Sequence, residues 1–388
     1  MRILLASEWL SPDTGGVARH VDDLANLLIE KGHEVGVITR KRKGRDKRKY
    51  TLLEVSRLNY LRLLSNVCGK GRVYEKIREF QPEIVHAHHA FTPIPLFTLR
   101  AAKTFSLPAI LTNHSAYFYD YEYLLKTIGY ISFPFRTFIE KADIIVSVSK
   151  ISKNFIKHFT TKEVIVIPNG VDTRRFYPRN NGLRDQIDSD LVVLYVSRIV
   201  RRKGPHLLVE AIRYVKKRIP SVKLLVVGEG SFEEYLKMRV KDLDLEDNVE
   251  FLGKVPDEEL PKVYSSADIF VLPSVYGESF GIVVLEAMSS GLPVIVSNVG
   301  GLREIVKNNV DGIILDKNNP IEIYKKIMLL YHNRELRSML ALHARKKVLR
   351  MYDWRIIVER LEELYRCLVE EEFSTLCAYQ RSRTSLAP

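Results

Sequence analysis

Short runs of apolar residues alternate along this chain with longer stretches in which apolar positions recur every three or four residues. The first run, Arg2–Ser7, is followed by the turn residues Ser11–Gly16 and an amphipathic stretch Val17–Lys31 that stops at Gly32, which predicts strand, loop and helix. Further strands are predicted at Val35–Thr39, Ile84–Ala87, Ala109–Thr112, Ile144–Val148 and Val164–Ile167, most of them separated by helical patterns. After Pro168–Asn169–Gly170 polar turn residues continue to Ser189, and then the pattern restarts. Leu191–Val196, Lys223–Val227, Val249–Leu252, Ile269–Leu272, Pro293–Val296 and Gly312–Leu315 are the strands predicted there, with helices such as Gly204–Arg218 and Phe232–Leu243 between them. From Pro320 the pattern is helical to about Glu371, with a break near Tyr352–Trp354. Strands alternating with helices predict an α/β protein whose mostly parallel sheets are covered on both faces. The expected division is a first domain over 1–170, a second over 171–350, and a helix and tail over 351–388.

With 388 residues, 46% of them hydrophobic, the chain can fill two cores. No apolar stretch approaches the roughly 20 residues of a spanning helix, and the N-terminus enters a strand without a signal-peptide pattern, so a cytoplasmic location is expected. Cys68, Cys367 and Cys377 lack metal-ligand spacing and indicate neither a disulfide framework nor a zinc site. Charge is uneven: residues 1–170 hold 26 Lys and Arg against 16 Asp and Glu, which is +10 of the total +13. Much of the excess lies in Arg40–Lys49, a run suited to anionic lipid, a phosphorylated substrate or nucleic acid, or simply to a solvated loop. Nucleic acid is disfavoured, because the run follows a strand and lacks the aromatic platforms and recognition-helix motifs of a reader.

Three segments carry chemistry. In Asp13–His20 (DTGGVARH), Gly15 and Gly16 allow backbone amides to approach a ligand, and the helix start beyond them favours an anion. The spacing is not that of a dinucleotide fingerprint, and no acidic residue ends the second strand. In Val196–Lys203 (VSRIVRRK) a strand runs into a loop bearing Arg198 and Lys203, which suit a diphosphate leaving group; Arg201 and Arg202 are expected in solvent. In Pro273–Gly301 the carboxylates of Glu278 and Glu286 are suited to sugar hydroxyls. A helix expected to begin near Phe280 presents free amides to a phosphate around Ser279, Phe280 and Gly281, and places Glu286 on a face open to the ligand.

The Gly15–Gly16 loop, IPNGVD at Ile167–Asp172, the SRIVRRKG segment, VGEGS at Val227–Ser231 and the Glu278/Glu286 pair occur in the order shown by family 4 glycosyltransferases, which the chain resembles over roughly residues 1–370. The resemblance implies a GT-B fold, two Rossmann-like domains facing across a cleft, with the C-terminal helices crossing back to the first. It implies a retaining sugar transfer from a UDP- or GDP-sugar, with no cofactor and no metal. By the same resemblance Glu278 holds donor-sugar hydroxyls, Glu286 the ribose, Arg198 and Lys203 the diphosphate, and Gly16 closes over it, with Gly15 and Gly228 in the donor loops. His114, in Thr112–Ser115, faces the donor sugar. His86, His88 and His89 are read as cleft-floor and packing residues, not metal ligands.

The acceptor is expected against the first domain. Ala116–Ile139 is crowded with aromatics, five of them within Tyr117–Tyr123, which suits a peripheral contact with an anionic bilayer, sugar stacking or a buried helix face. Tyr117, Tyr119 and His20 are the candidate acceptor contacts, and the TNHS and GGVARH segments resemble the phosphatidylinositol-glycan branch of the family. The expected place of action is the cytoplasm or the inner membrane face, with a lipid-linked acceptor, a soluble sugar or a sugar phosphate. A non-catalytic nucleotide-sugar-binding protein is the alternative of another class. A phosphorylase of similar architecture is disfavoured by the lack of a lysine-centred pyridoxal phosphate motif.

Overall fold

A computed structural model describes residues 1–10, 15–41, 48–56, 70–117, 132–179, 184 and 186–370. The chain divides into two compact units, Met1–Asn169 together with the residues from Arg355 onward, and Gly170–Trp354. The boundary at Gly170 coincides with a close approach: a Cβ built there would lie 2.5 Å from the Trp354 ring. Val171 and Asp353, where the chain leaves and rejoins the first unit, form a parallel bridge.

The first unit contains β1 (Arg2–Ala6), α1 (Gly16–Glu30), β2 (Glu34–Arg40), β3 (Thr51–Val55), α2 (Lys70–Phe80), β4 (Ile84–His88), α3 (Pro93–Thr104), β5 (Ala109–Asn113), α4 (Ser132–Ile139), β6 (Ile144–Ser147), α5 (Lys150–Ile156) and β7 (Val164–Val166). All the strand pairs are parallel, in the order β3-β2-β1-β4-β5-β6-β7. β3 was not expected. Its sequence, TLLEV, has one apolar pair and follows the basic run, and its pairing with β2 supplies what the local pattern does not.

Side chains alternate across the sheet, so each strand feeds two cores. Leu4, Ala6, Val85, Ala87 and Leu111 pack with Val73, Ile77, Ile94 and Phe97 from α2 and α3. The opposite face carries Ile3, Leu5, His86 and His88, all fully buried. It receives Tyr365 from the last helix, which explains why that helix belongs to this unit although 185 residues separate Asn169 from Arg355 in sequence. Lys31 Nζ and His33 Nε2 also reach the last helix, at 2.7 and 2.8 Å from the Glu362 carboxylate.

The second unit contains β8 (Val192–Val196), a 3-10 turn (Arg201–Lys203), α6 (Pro205–Lys216), β9 (Lys223–Val227), α7 (Glu233–Asp242), β10 (Val249–Gly253), α8 (Leu260–Ser265), β11 (Ile269–Leu272), α9 (Ile282–Ser289), β12 (Val294–Ser297), α10 (Leu302–Ile305), β13 (Ile313–Leu315), α11 (Pro320–His332) and α12 (Arg334–Met351). Its strands are again all parallel, in the order β10-β9-β8-β11-β12-β13. The final helix, α13 (Trp354–Val369), follows the expected break. In both sheets the strand order reverses beside the first strand, and the loops leaving β1 and β4, and β8 and β11, flank these switch points, where open α/β sheets bind ligands. Among the described residues no helix is long and apolar enough to cross a membrane.

Candidate active site

At the switch point of the second sheet, Lys203 ends the turn after β8 and Glu278 lies in the loop after β11. Lys203 Nζ is 2.5 Å from Glu278 Oε2, and both side chains are buried. Ser274, also buried, donates to the same carboxylate oxygen at 3.0 Å. Burial alone raises the Glu278 carboxyl, but Lys203, Ser274 and the nearby Arg202 together hold it below the usual range. Burial lowers Lys203 more than Glu278 restores it. A buried charge pair of this kind is costly to assemble and more costly to leave half-made.

The backbone around the pair is built by close approach. A Cβ on Gly204 (φ +70°) would lie 1.9 Å from the Pro273 carbonyl oxygen, and one on Gly300 (φ +56°) 1.9 Å from that of Glu278, so only glycine fits either position. Asn318 Nδ2 donates to the Pro273 and Ser274 carbonyls at 3.0 Å each. Arg202 is half-buried and donates to the Gly277 carbonyl at 3.2 Å. The expectation that Arg202 is solvated is therefore corrected: it clamps the Glu278 loop. Arg201 is exposed, as is Arg198, and Arg198 is close enough to depress Lys203.

The helix expected near Phe280 starts at Ile282, capped by Gly281 in a left-handed conformation (φ +108°). Ser279 and Phe280 precede it and are buried, with Phe280 edge-on to Tyr352 at 6.2 Å. Glu286 falls just over one turn in and is 2% exposed, where an open face was expected; Tyr264 OH donates to its Oε2 at 2.8 Å. The cause is packing between α8 and α9, which a reading of helix phase alone does not contain. Gly228 (φ +124°) approaches the Ser197 carbonyl, with 2.1 Å left for a Cβ, and so ties the loops after β8 and β9 together.

In the first unit, Gly15 and Gly16 are exposed at the start of α1, Gly15 with φ +135°. His20 lies one turn into α1 and is buried; His114 follows β5 and is half-buried. His86, His88 and His89 surround them. His86 is paired at both nitrogens, to Tyr365 OH (2.6 Å) and Thr112 Oγ1 (2.7 Å), which accounts for it as a packing residue. His89 Nδ1 accepts from the Phe91 amide and its Nε2 meets Ser115 Oγ. Burial lowers His20 and His86 to about 3 and His89 to about 4, and pushes His88 and His114 well below the usual imidazole range. All five rings are therefore neutral at pH 7.

Tyr117 is 39% exposed. Tyr119 and the rest of Tyr117–Tyr123 lie outside the described residues, as do Arg42–Lys47 of the basic run. Arg48 is a correction within that run: it is bound to Asp22 Oδ1 (2.5 Å) and Tyr50 OH (2.9 Å) and turns inward. The residues that sequence reasoning missed, Ser274, Arg202, Asn318 and Tyr264, support the others. Only Ser274, four positions before Glu278, had a local signal.

The family described as Glycosyl transferases group 1 matches residues 184–347, and that described as Glycosyltransferase Family 4 matches residues 14–175. The chain belongs to the group 1, family 4 glycosyltransferases. This glycosyltransferase is 29% identical to a phosphatidylinositol N-acetylglucosaminyltransferase subunit of Arabidopsis thaliana, over 94% of this chain and 81% of that one. It is 26% identical to phosphatidyl-myo-inositol mannosyltransferase of Mycolicibacterium smegmatis, over 94% and 93% respectively. Its fold matches that of sucrose-phosphate synthase from Thermosynechococcus elongatus with a TM-score of 0.78, at 23% identity, over 95% of this chain and 99% of that one. The fold is thus GT-B, as expected from the motifs.

Proposed function

We propose that this glycosyltransferase moves a sugar from a UDP- or GDP-sugar to a hydroxyl of a lipid-linked, inositol-phosphate type of acceptor at an anionic membrane surface, retaining the anomeric configuration. The observation that carries the reading is the buried Lys203–Glu278 pair at the second sheet's switch point. In this reading the second unit holds the donor and the first the acceptor. Arg198 and Lys203 neutralise the diphosphate as its bond to the anomeric carbon breaks, so no metal is assigned to that step. The amides around Ser279–Gly281 take further phosphate charge. Glu278 accepts from hydroxyls of the transferred sugar once Lys203 turns to the diphosphate, and Glu286 holds the ribose. His114, neutral, orients the sugar. No side chain is assigned as a nucleophile, so the acceptor hydroxyl attacks from the face the diphosphate leaves, at an oxocarbenium-like centre.

The two inositol-lipid relatives support the acceptor class, together with the basic run and Tyr117. The test is thermal stabilisation by a panel of UDP-, GDP- and ADP-sugars, followed by transfer from the stabilising donor to phosphatidylinositol or to soluble inositol and sugar phosphates. A UDP- or GDP-sugar and the lipid are the expected pair. Transfer only to a soluble acceptor contradicts the lipid assignment, and binding without transfer favours a non-catalytic sugar-binding protein.

A further inference from the structure

Three imidazoles from distant parts of the sequence converge at the carboxyl edge of the first sheet. His20 comes from α1, His88 ends β4 and His114 follows β5, so the strand order β1-β4-β5 assembles them. One ring nitrogen from each lies within 4.8 Å of those of the other two. His88 Nδ1 is 3.3 Å from His114 Nε2, and the His20 ring centroid is 4.8 Å from that of His114 and 5.3 Å from that of His88.

The neighbouring His86 and His89 have protein partners at both nitrogens, but His88 Nε2 is buried with no hydrogen-bond partner among the described residues. An imidazole nitrogen is a common ligand for transition metals, and three of them gathered this closely suit a single cation. Zinc–imidazole bonds of about 2.0–2.1 Å in a tetrahedron place the nitrogens about 3.4 Å apart, a spacing that His88 Nδ1 and His114 Nε2 already meet. Three imidazoles without a carboxylate suit zinc, cobalt, nickel or copper and are a poor set for magnesium or calcium.

We propose that His20, His88 and His114, all of the first unit, form a binding site for one divalent transition metal of the zinc class. The metal claim does not rest on sugar transfer, although His114 serves both.

The test uses the full chain, stripped with a chelator and titrated with cobalt(II) as a spectroscopic probe. One cobalt per chain is expected, with the intense visible absorption of a low-coordinate nitrogen site, displaced by zinc and untouched by magnesium. His88→Gln should weaken binding about 100-fold or more, whereas His86→Gln should still bind one cobalt. His20→Asn provides a second route should His88→Gln fail to fold. Absence of the absorption band in the wild type, or an unchanged band and stoichiometry in a folded His88→Gln or His20→Asn variant, overturns the site. Either result leaves the transferase reading standing, because that reading assigns no metal; absence of transfer by the metal-free wild type would strike only the transferase reading.

Discussion

Lys203 and Glu278, 75 residues apart, form a buried ion pair with their charged atoms 2.5 Å from each other, at the place where the second sheet reverses strand order. Each satisfies the other in the free protein, and a diphosphate offers Lys203 a second anion. Lys203→Met should lose about 100-fold or more in kcat/KM and destabilise the fold by about 3–5 kcal/mol, since Glu278 remains buried and unpaired. Adding Glu278→Gln should recover much of the stability and none of the activity. Chemical denaturation and steady-state kinetics on the single and double variants check both parts, and recovery of activity in the double variant would refute the catalytic assignment.

Arg198 is exposed, so its replacement by Ala should leave the melting temperature almost unchanged while lowering kcat/KM about 100-fold, as for loss of a preorganised charge-stabilising donor. Chelation with EDTA should not reduce transfer. Loss of activity on chelation, restored by magnesium or manganese, would transfer the role of Arg198 and Lys203 to a metal.

Glu286 is held by Tyr264 in a buried pair. Glu286→Ala should weaken nucleoside diphosphate binding by about 1–3 kcal/mol, the scale of a lost hydrogen bond to a charged acceptor, and Tyr264→Phe should weaken it less. Calorimetry decides the matter, with unchanged affinity in a folded Glu286→Ala variant removing the residue from the ribose site.

How much of this was legible in the sequence follows from how local each feature is. Parallel strands buried on both faces read as short apolar runs, and all six strands of the second unit lie within one residue of the expected limits at both ends. β3 was missed because its partner β2, not its own TLLEV sequence, makes it a strand. Lys203 and Glu278 were legible as motif members, but their contact was not, because loops from two strands bring them together. The same holds for the Glu286–Tyr264 pair and for the His20, His88 and His114 cluster, in which no linear ligand spacing exists. Arg202 looks like any surface cation in VSRIVRRK, and only the fold of the Glu278 loop gives it the Gly277 carbonyl.

The tie between the last helix and the first unit should be sensitive to acid. Glu362 is held below its usual range: burial raises it, but Lys31 and His33 outweigh that. A carboxyl depressed in the folded state contributes stability above its unfolded pKa of about 4.3, and that contribution is lost as pH falls through the folded value. The melting-temperature difference between wild type and Glu362→Gln should therefore be full at pH 7 and should vanish below the carboxylate range. A difference that persists at about pH 2.5 would mean packing, not charge, carries the contact.

Membrane attraction should reside in the basic run without Arg48, which is committed to Asp22 and Tyr50. Changing Lys41, Arg42, Lys43, Lys47 and Lys49 to Ser should release the protein from anionic vesicles at low salt, since each contributes roughly 1 kcal/mol near such a surface. Equal co-sedimentation of variant and wild type would shift the acceptor to a soluble sugar or sugar phosphate.

The central claim, retaining transfer from a nucleotide sugar, is tested most directly by the anomeric configuration of the product. With an α-linked UDP- or GDP-sugar and a phosphatidylinositol acceptor, nuclear magnetic resonance of the purified product should show an α-glycoside, formed by the wild type and reduced about 100-fold in Lys203→Ala. A β-glycoside would contradict retention, and the absence of any glycoside across the donor and acceptor panel would contradict the transferase reading of this site.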